Sequence, residues 1–209
     1  MVGQGVLREC LLDSHVTEVV SIGRTALTTK HAKLRDVVKS DLFHFAPDEP
    51  ALEAIDACFF CLGVTSVGKS EEEYTRITYT LTMAAAEPLA ARNPAMTFIY
   101  VSGQGTERDM MWARVKSRTE NSIMRLFKNG YAFRPGIILP VNGEKSRVSA
   151  ANWLYSITSP IYGILRRAFP RQVITTDELG RAMLNIARDG APKHVLEQAD
   201  IGELGRLSA

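Results

Sequence analysis

Three side chains near the middle of the chain could act together in a chemical site. Residues 96–101 form a short apolar run that is typical of a buried strand, and Ser102 follows this run directly. A turn with two glycines comes next, and a helical pattern then begins with Trp112 and Lys116 in its first turns. An open α/β sheet builds its sites from strand ends and from the helices that follow them. The Ser102 hydroxyl and the Lys116 amine therefore predict a site at the carboxyl edge of such a sheet.

The elements that must position these residues alternate between strands and helices along the chain. Apolar runs predict strands at residues 18–22, 35–39, 57–62, 97–101, 131–134 and, last, 172–175, and helical spacing predicts helices at residues 2–12, 47–56, 70–88, 111–128 and 177–188. A capping box of Ser70 and Glu73 begins the third helix, and Pro88 is expected to kink or end it. The alternation predicts an α/β fold with a parallel sheet and right-handed crossovers. With 209 residues and 45% hydrophobic content, the chain is expected to form a single domain over residues 1–209.

The least regular part of the chain is residues 139–171. Its stretch 148–165 has no charged residue, but Asn152, Pro160 and several Ser and Thr make it a poor membrane span. We therefore expect no membrane-spanning segment. A subregion that covers the substrate is our first interpretation of this part, and an amphipathic segment lying on a membrane surface is the second.

Composition sets limits on partners and location. The formal net charge is +2, so the overall charge indicates no nucleic-acid partner. Residues 114–171 contain eleven Lys and Arg against two acids, a surplus that fits either an anionic ligand or a solvated face. The sequence has no secretory h-region and no cleavage pattern, which predicts a cytoplasmic location.

The cysteines and histidines give no sign of a metal site. Cys58 and Cys61 lie three apart in a run that reads as a strand, where such residues point to opposite faces. They cannot share one metal ion there, so we expect both to pack in the core. The four histidines have no ligand spacing, and we predict no bound metal.

Two features indicate an anionic ligand near the start of the chain. Gly3 and Gly5 lie at the beginning of the first predicted helix, where free backbone amides and a partial positive charge attract phosphate. Arg24 follows the next strand, about twenty residues later. A dinucleotide fold reads the adenosine ribose at that point, and an arginine there suits the 2′-phosphate of NADP rather than the ribose of NAD. The alternative interpretation of Arg24 is a surface cation.

Taken together, the chain resembles the short-chain dehydrogenase superfamily, in its atypical NAD(P)-binding, epimerase-like branch. The resemblance is carried in order by residues 1–5, 22–24, 61–65, 101–103, Lys116, 134–136 and 176–183, and covers nearly the whole chain. It implies a Rossmann-like doubly wound parallel sheet and a nicotinamide cofactor, with NADP favoured over NAD. It also implies a small carbonyl or hydroxyl compound as the substrate.

The resemblance further implies roles for single residues. Ser102 would orient the substrate carbonyl, and Lys116 would bind the nicotinamide ribose and lower the pKa of a tyrosine. The residues implied to lie along the cofactor are Val2, Gly3, Arg24, Asp41, Leu42, Leu62, Gly63, Pro135, Gly136 and Ile137. Among them, Asp41 and Leu42 would lie near the adenine, and residues 135–137 would approach the nicotinamide.

Two departures from the family pattern limit these implications. The family begins with a strand and a G-x-x-G-x-x-G turn, of which only the third glycine, Gly3, is present. We expect that the start lies upstream of Met1, or that the chain is truncated. We also expect a vacancy in the sheet between strands 18–22 and 57–62. A chain with this vacancy is expected to be poorly stable, to form a homodimer through the gap, or to fill it with another segment.

The second departure is Trp112, which stands where the family has its catalytic tyrosine. A phenol can pass a proton to an alkoxide, whereas an indole N–H donates a hydrogen bond and does not titrate usefully. Glu107, Asp109 or a water molecule could stand in as the acid. The sequence thus leaves two functions open: an NADP-dependent oxidoreductase or epimerase-like enzyme, and a non-catalytic NAD(P)-binding protein that regulates or binds a partner.

Overall fold

The computed structural model describes residues 1–46, 49–143 and 173–207. Its helices are α1 (Val2–Leu12), a 3-10 helix (Pro50–Leu52), α2 (Glu71–Thr75), a π-helical segment (Arg76–Thr80), α3 (Leu81–Arg92), α4 (Met111–Leu126), α5 (Thr176–Asp189) and α6 (Gln198–Arg206). Its strands are β1 (Val19–Gly23), β2 (Leu34–Val38), β3 (Ala57–Phe60), β4 (Thr97–Val101), β5 (Asn129–Arg134), β6 (Ile137–Leu139), β7 (Val173–Thr175) and β8 (Val195–Glu197). Most of the interpretation of residues 139–171 falls on residues 144–172, which lie outside the described residues.

The central sheet has four parallel strands in the order β3-β4-β5-β8. The register places Phe98 of β4 between Cys58 of β3 and Gly130 of β5. Four of the five residues of β4 are buried, as expected for a central strand covered on both faces. The predicted parallel sheet is therefore confirmed for β3, β4 and β5.

The strands β1 and β2 form a separate parallel pair. Within the described residues no backbone ladder joins β1 to β3, which agrees with the predicted vacancy between these two strands. Val19 of β1 packs on the same core cluster as Phe59, and Ile22 packs on the same cluster as Phe60. Side chains of the two strands thus share the two core layers, although their backbones do not pair.

Two parts of the sheet structure differ from the sequence prediction. A second separate pair, β6-β7, brings the sheets among the described residues to three, where one was expected. The extended piece at residues 173–175 is also not the last strand, because β8 and α6 follow it. Both corrections have the same reason: strands of three residues are too short to show a periodicity, and only their pairing defines them.

The core has two parts, one on each face of the central sheet. One cluster includes Val6, Ile99 and Leu179, and the other includes Phe60, Phe98 and Phe127. Cys61 packs on the first cluster and Cys58 on the second, which confirms that the two cysteines lie on opposite faces.

The helices agree with the sequence prediction in most bounds. The Ser70–Glu73 capping box is formed, with N–H to oxygen distances of 3.1 and 3.2 Å. The predicted helix at 47–56 is wrong in extent, because residues 49–56, the described part of this range, contain a short 3-10 helix at Pro50–Leu52 and no α-helix. The helix α3 continues through Pro88, so the helix does not end at the proline; Ala86 and Leu89 are buried and hold this part against the core. Within the three described ranges, no helix combines the length and apolar character needed to cross a membrane.

Candidate functional site

Ser102 lies at the carboxyl end of the central strand β4. Its N–H donates to the carbonyl oxygen of Phe133 at 2.8 Å, so backbone pairing with β5 continues one residue past the strand and fixes the position of the serine. The residue is 6% exposed, and its Oγ has no hydrogen-bond partner within the described part of the chain. Buried hydroxyls in proteins nearly always have a partner, and exceptions call for an explanation such as a bound ligand.

Lys116 reaches this strand end from the second turn of α4. Its Nζ donates a hydrogen bond to the Ser102 carbonyl oxygen. Burial lowers the pKa of the Lys116 amine below its ordinary value of 10.5, and the Glu120 carboxylate one turn later opposes that shift. A Cβ atom added to Gly103 would lie 3.2 Å from Nζ, and Gly103 has φ +146°. A glycine at this position lets the amine approach the backbone.

Trp112 lies one helical turn before Lys116 and is half-buried. Its Cη2 atom lies 3.2 Å from where a Cβ of Gly105 would be, so the indole packs over the turn between β4 and α4. Gly105 has φ +86°, a conformation that favours glycine. The indole therefore stands beside the loop that begins at Ser102.

The loop after β5 borders the same strand end. The N–H of Gln104 donates to the Pro135 carbonyl oxygen at 3.2 Å, which ties the two loops together. The N–H of Gly136 donates to Oε1 of Gln198 at 2.6 Å. Ile137 follows and is 57% exposed. The structure thus brings Pro135, Gly136 and Ile137 next to the Ser102 loop.

The start of α1 lies beside the end of β3. A Cβ atom on Gly3 would lie 3.5 Å from Cβ of Cys61, and Val2 packs on the core cluster that includes Cys61. Leu62 and Gly63 continue from Cys61 and are both exposed. Val2 and Gly3, at the start of α1, therefore lie near Cys61, the residue that precedes Leu62 and Gly63.

Arg24, Asp41 and Leu42 lie at the ends of β1 and β2, and within the described residues no recorded contact joins them to Ser102 or Lys116. Arg24 is exposed and has no recorded ion-pair partner among those residues. The Asp41 carboxylate accepts hydrogen bonds from the Phe43 N–H at 2.8 Å and from His44 Nδ1 at 2.6 Å, and these bonds lower its pKa. Leu42 is buried.

The two acids considered as replacements for the tyrosine do not approach the lysine. The side chain of Asp109 is 93% exposed and pairs with Arg114 at 3.1 Å. Glu107 is exposed as well. The described residues contain no group of three or more His, Cys, Asp or Glu placed to hold a metal ion.

Sequence reasoning missed four residues that support the site. Glu120, 1% exposed, accepts two hydrogen bonds from Arg134 at 2.6 and 3.1 Å. Arg134 also donates to Glu197 at 3.1 Å, and Gln198 follows. The sequence spacing could have indicated Glu120, because it lies four residues after Lys116 and therefore on the same face of α4. Nothing in the sequence indicates that Glu197 and Gln198 reach this point.

Comparisons with known proteins support the fold. No protein-family model matches the chain. Protein HTATIP2 of Rattus norvegicus is 26% identical over 214 residues, which cover 99% of this chain and 86% of that protein.

Solved structures with similar folds include dehydrogenases and an epimerase. UDP-glucuronic acid 4-epimerase from Bacillus cereus, in complex with NAD, has 12% identity and a TM-score of 0.67, over 100% of this chain and 82% of that chain. A short chain dehydrogenase from Burkholderia cenocepacia, in complex with NADP, has 13% identity and a TM-score of 0.65, over 97% of this chain and 85% of that chain. A short-chain type dehydrogenase/reductase from Mycobacterium ulcerans has 14% identity and a TM-score of 0.65, over 96% of this chain and 86% of that chain.

The chain therefore has the Rossmann-like α/β fold of short-chain dehydrogenases and epimerases. At the level of the fold, the resemblance inferred from the sequence is confirmed.

Proposed function

We propose that this protein binds NADP at the carboxyl edge of its sheet and acts as an oxidoreductase or epimerase-like enzyme on a small carbonyl or hydroxyl compound. The observation that carries this proposal is the pair formed by Ser102 and Lys116 at the end of β4. Among the described residues, the Ser102 hydroxyl is buried without a partner, and the Lys116 amine uses one of its three N–H donors, for a backbone carbonyl. Such a pair has hydrogen bonds to offer to a ligand that carries hydroxyl or carbonyl oxygens.

The residues present fit the two ends of NADP. The exposed guanidinium of Arg24 suits the 2′-phosphate, because a charge-assisted contact needs a cation without a competing carboxylate. Gly3 and Gly63 both offer exposed backbone for the phosphates, and Gly3 lies beside Cys61, two residues before Gly63. Lys116 would hold the ribose at the other end, and Ser102 would donate to the substrate oxygen. When bound, NADPH supplies the reducing equivalent.

The preference for NADP over NAD is part of the proposal and rests on Arg24. Similar structures were solved with NAD and with NADP, so the fold accommodates both. Asp41 and Leu42 are proposed to border the adenine, and residues 135–137 the nicotinamide. Val2 and Leu62 complete the proposed wall around the cofactor.

A second candidate function is dinucleotide binding without carbonyl reduction, in a protein that regulates or binds a partner. Trp112 favours it, because the indole lies one turn before Lys116 and provides no titratable proton. The exposed position of Asp109 favours it too, since that acid does not reach the lysine.

We further propose that residues 1–209 form one cytoplasmic NADP-binding domain and that two copies associate through the edge of β1 that pairs with no strand among the described residues. An unpaired strand edge offers free N–H and C=O groups to another strand. Sedimentation velocity at several protein concentrations tests this association. A monomer at all concentrations would contradict it.

The experiment that tests the proposed function has two parts. NADPH and NADH are titrated into the protein by calorimetry, and NADPH consumption is followed against a panel of small aldehydes and ketones. We expect NADPH to bind more tightly than NADH and Ser102→Ala to abolish any turnover while leaving NADPH binding measurable. Binding without turnover supports the second candidate, and the absence of binding contradicts both.

A further inference from the structure

Backbone pairing between β5 and β8 ends at Arg134 and Glu197, and side-chain hydrogen bonds connect the residues that follow. The register pairs Phe133 with Leu196 and Arg134 with Glu197. The next residue on one strand is Pro135, which has no N–H to donate, and the next residue on the other is Gln198, which begins α6. Backbone pairing therefore cannot continue into the loop that follows Arg134.

Gln198 continues the pairing with its side-chain amide. Its Oε1 accepts from the Gly136 N–H at 2.6 Å, and its Nε2 donates to the Ile137 carbonyl oxygen at 3.2 Å. The residue is 3% exposed, so water competes little for these two bonds. One side chain thus satisfies a donor and an acceptor on consecutive residues of the loop.

This loop forms one wall of the site at Ser102. A Cβ atom placed on Gly103 would lie 3.2 Å from Nζ of Lys116 and 4.0 Å from the carbonyl oxygen of Pro135, so the amine and the loop border the same point. Glu197 ties the same region to α4, because Arg134 bridges Glu197 and Glu120. Gln198 therefore holds the loop, and Glu197, the residue before it, is linked through Arg134 to the helix that contains Lys116.

We propose that Gln198 is a positioning residue, which holds the loop of Pro135, Gly136 and Ile137 against the end of the ligand that reaches Lys116. The proposal rests on the proposed function, in which that end is the nicotinamide end of NADP. Loss of the Gln198 amide should therefore weaken contacts to the nicotinamide half and leave contacts to the adenosine half unchanged.

The test compares two ligands on the full chain. NADPH has both halves, whereas 2′-phospho-ADP-ribose keeps the adenosine half, the phosphates and the second ribose, and lacks the nicotinamide ring that the loop of residues 135–137 is proposed to border. Gln198→Met keeps the length of the side chain and removes both polar atoms. We expect it to weaken NADPH binding by about tenfold and to change 2′-phospho-ADP-ribose binding by less than about twofold.

Asn185→Leu is the matched control. Asn185 is also a buried amide, whose Nδ2 donates to the Leu204 carbonyl oxygen at 2.8 Å, near the other end of α6. It should lower the melting temperature and leave the ratio of the two affinities unchanged. Gln198→Glu is a second variant that keeps the acceptor for the Gly136 N–H, and we expect the same selective loss with a smaller magnitude.

Equal losses for both ligands in the Gln198 variants, or a shifted ratio in Asn185→Leu, would overturn the positioning role. If the unmutated protein binds 2′-phospho-ADP-ribose and NADPH equally well, the nicotinamide half makes no contact for Gln198 to organise, and the inference fails while cofactor binding stands. If it binds neither ligand, the proposed function fails and the inference fails with it.

Discussion

Position 112 holds an indole one helical turn before the Lys116 amine, beside a serine hydroxyl that has no recorded partner in the described chain. In this arrangement Ser102 can hold a carbonyl oxygen, and Lys116 can hold hydroxyl groups of a ligand. Reduction of a carbonyl also needs a proton for the developing alkoxide, and neither an indole nor the exposed Asp109 supplies it.

Replacing the indole by a phenol should add a titratable hydroxyl between Ser102 and Lys116. We predict that Trp112→Tyr raises NADPH-dependent reduction of a small carbonyl compound by about 10²- to 10⁴-fold, the usual contribution of general acid catalysis. The measurement is steady-state turnover of both forms against the same panel of carbonyl compounds.

Trp112→Phe is the control, since it changes the size of the ring in the same direction and adds no hydroxyl. It should leave turnover at the level of the unmutated protein. Strong activity in the unmutated protein that survives both Ser102→Ala and Lys116→Met would place the chemistry elsewhere in the molecule.

Arg24 is the residue on which the choice of cofactor depends. We predict that Arg24→Asp erases most of the preference for NADPH over NADH, because a charge-assisted contact to the 2′-phosphate is worth about 1.5–3 kcal/mol. Calorimetric titration of both cofactors measures the ratio. Lys30→Asp makes the same change of net charge at another exposed cation and should leave the ratio unaltered. Equal affinity for both cofactors in the unmutated protein would refute the assignment.

At the scale of elements, one ion pair joins α4 to β5 behind the site. Arg134→Met leaves the Glu120 carboxylate, 1% exposed, without its cation, and we predict a loss of unfolding free energy of about 3–5 kcal/mol. The double variant Glu120→Leu, Arg134→Met removes both charges and should lose less than the single variant. Urea unfolding of the three proteins measures this.

Arg114 provides a matched comparison on the same helix. Its side chain is 53% exposed, and the side chains of its partners Asp109 and Glu71 are 93% and 58% exposed. Arg114→Met should therefore change the unfolding free energy by less than about 1 kcal/mol. A similar cost for Arg114→Met and Arg134→Met would show that burial of the Glu120 pair has no special effect.

Cys58 of β3 and Cys61, which follows the strand, lie in opposite core layers, and burial raises the pKa of each thiol to about 12. Relative to the ordinary value of 9.0, the thiolate fraction at pH 8 falls about a thousandfold. We therefore predict that iodoacetamide labels Cys58 and Cys61 about a thousandfold more slowly in the folded protein than in urea. Mass spectrometry of the labelled peptides measures both rates. Rapid labelling of the folded protein at either cysteine would contradict this.

For the whole molecule, the separation of β1-β2 from the central sheet should appear in its dynamics. Strands β1 and β2 are held to the described remainder by side-chain packing, whereas β4 has backbone partners on both sides. We predict that amides of Val19–Gly23 exchange hydrogen through local opening, and that amides of Thr97–Val101 exchange only on global unfolding. Native-state hydrogen exchange in low denaturant distinguishes the two. Equal protection in both strands would contradict the separation of β1-β2 from the central sheet.

Features that depend on nearby residues could be read from the sequence. The bounds of α1, the Ser70–Glu73 capping box and the opposite faces of Cys58 and Cys61 follow from helical spacing, capping and the period of a strand. Ser102, Trp112 and Lys116 could be assigned to one site for the same reason, since they lie within fifteen residues around a strand end and a helix start.

Only the tertiary structure decided which distant segments meet. Gln198 bonds to the backbone of Gly136 across 62 positions, and Glu120 pairs with Arg134 through the packing of α4 on β5. Strands β6, β7 and β8 have three residues each, and backbone pairing with a neighbouring strand is what defines each of them. Local periodicity and capping act over a few residues, so they determine helices, strands and the contents of the strand-end site. Long-range pairing depends on which surfaces pack together, and no local pattern in this sequence carries that information.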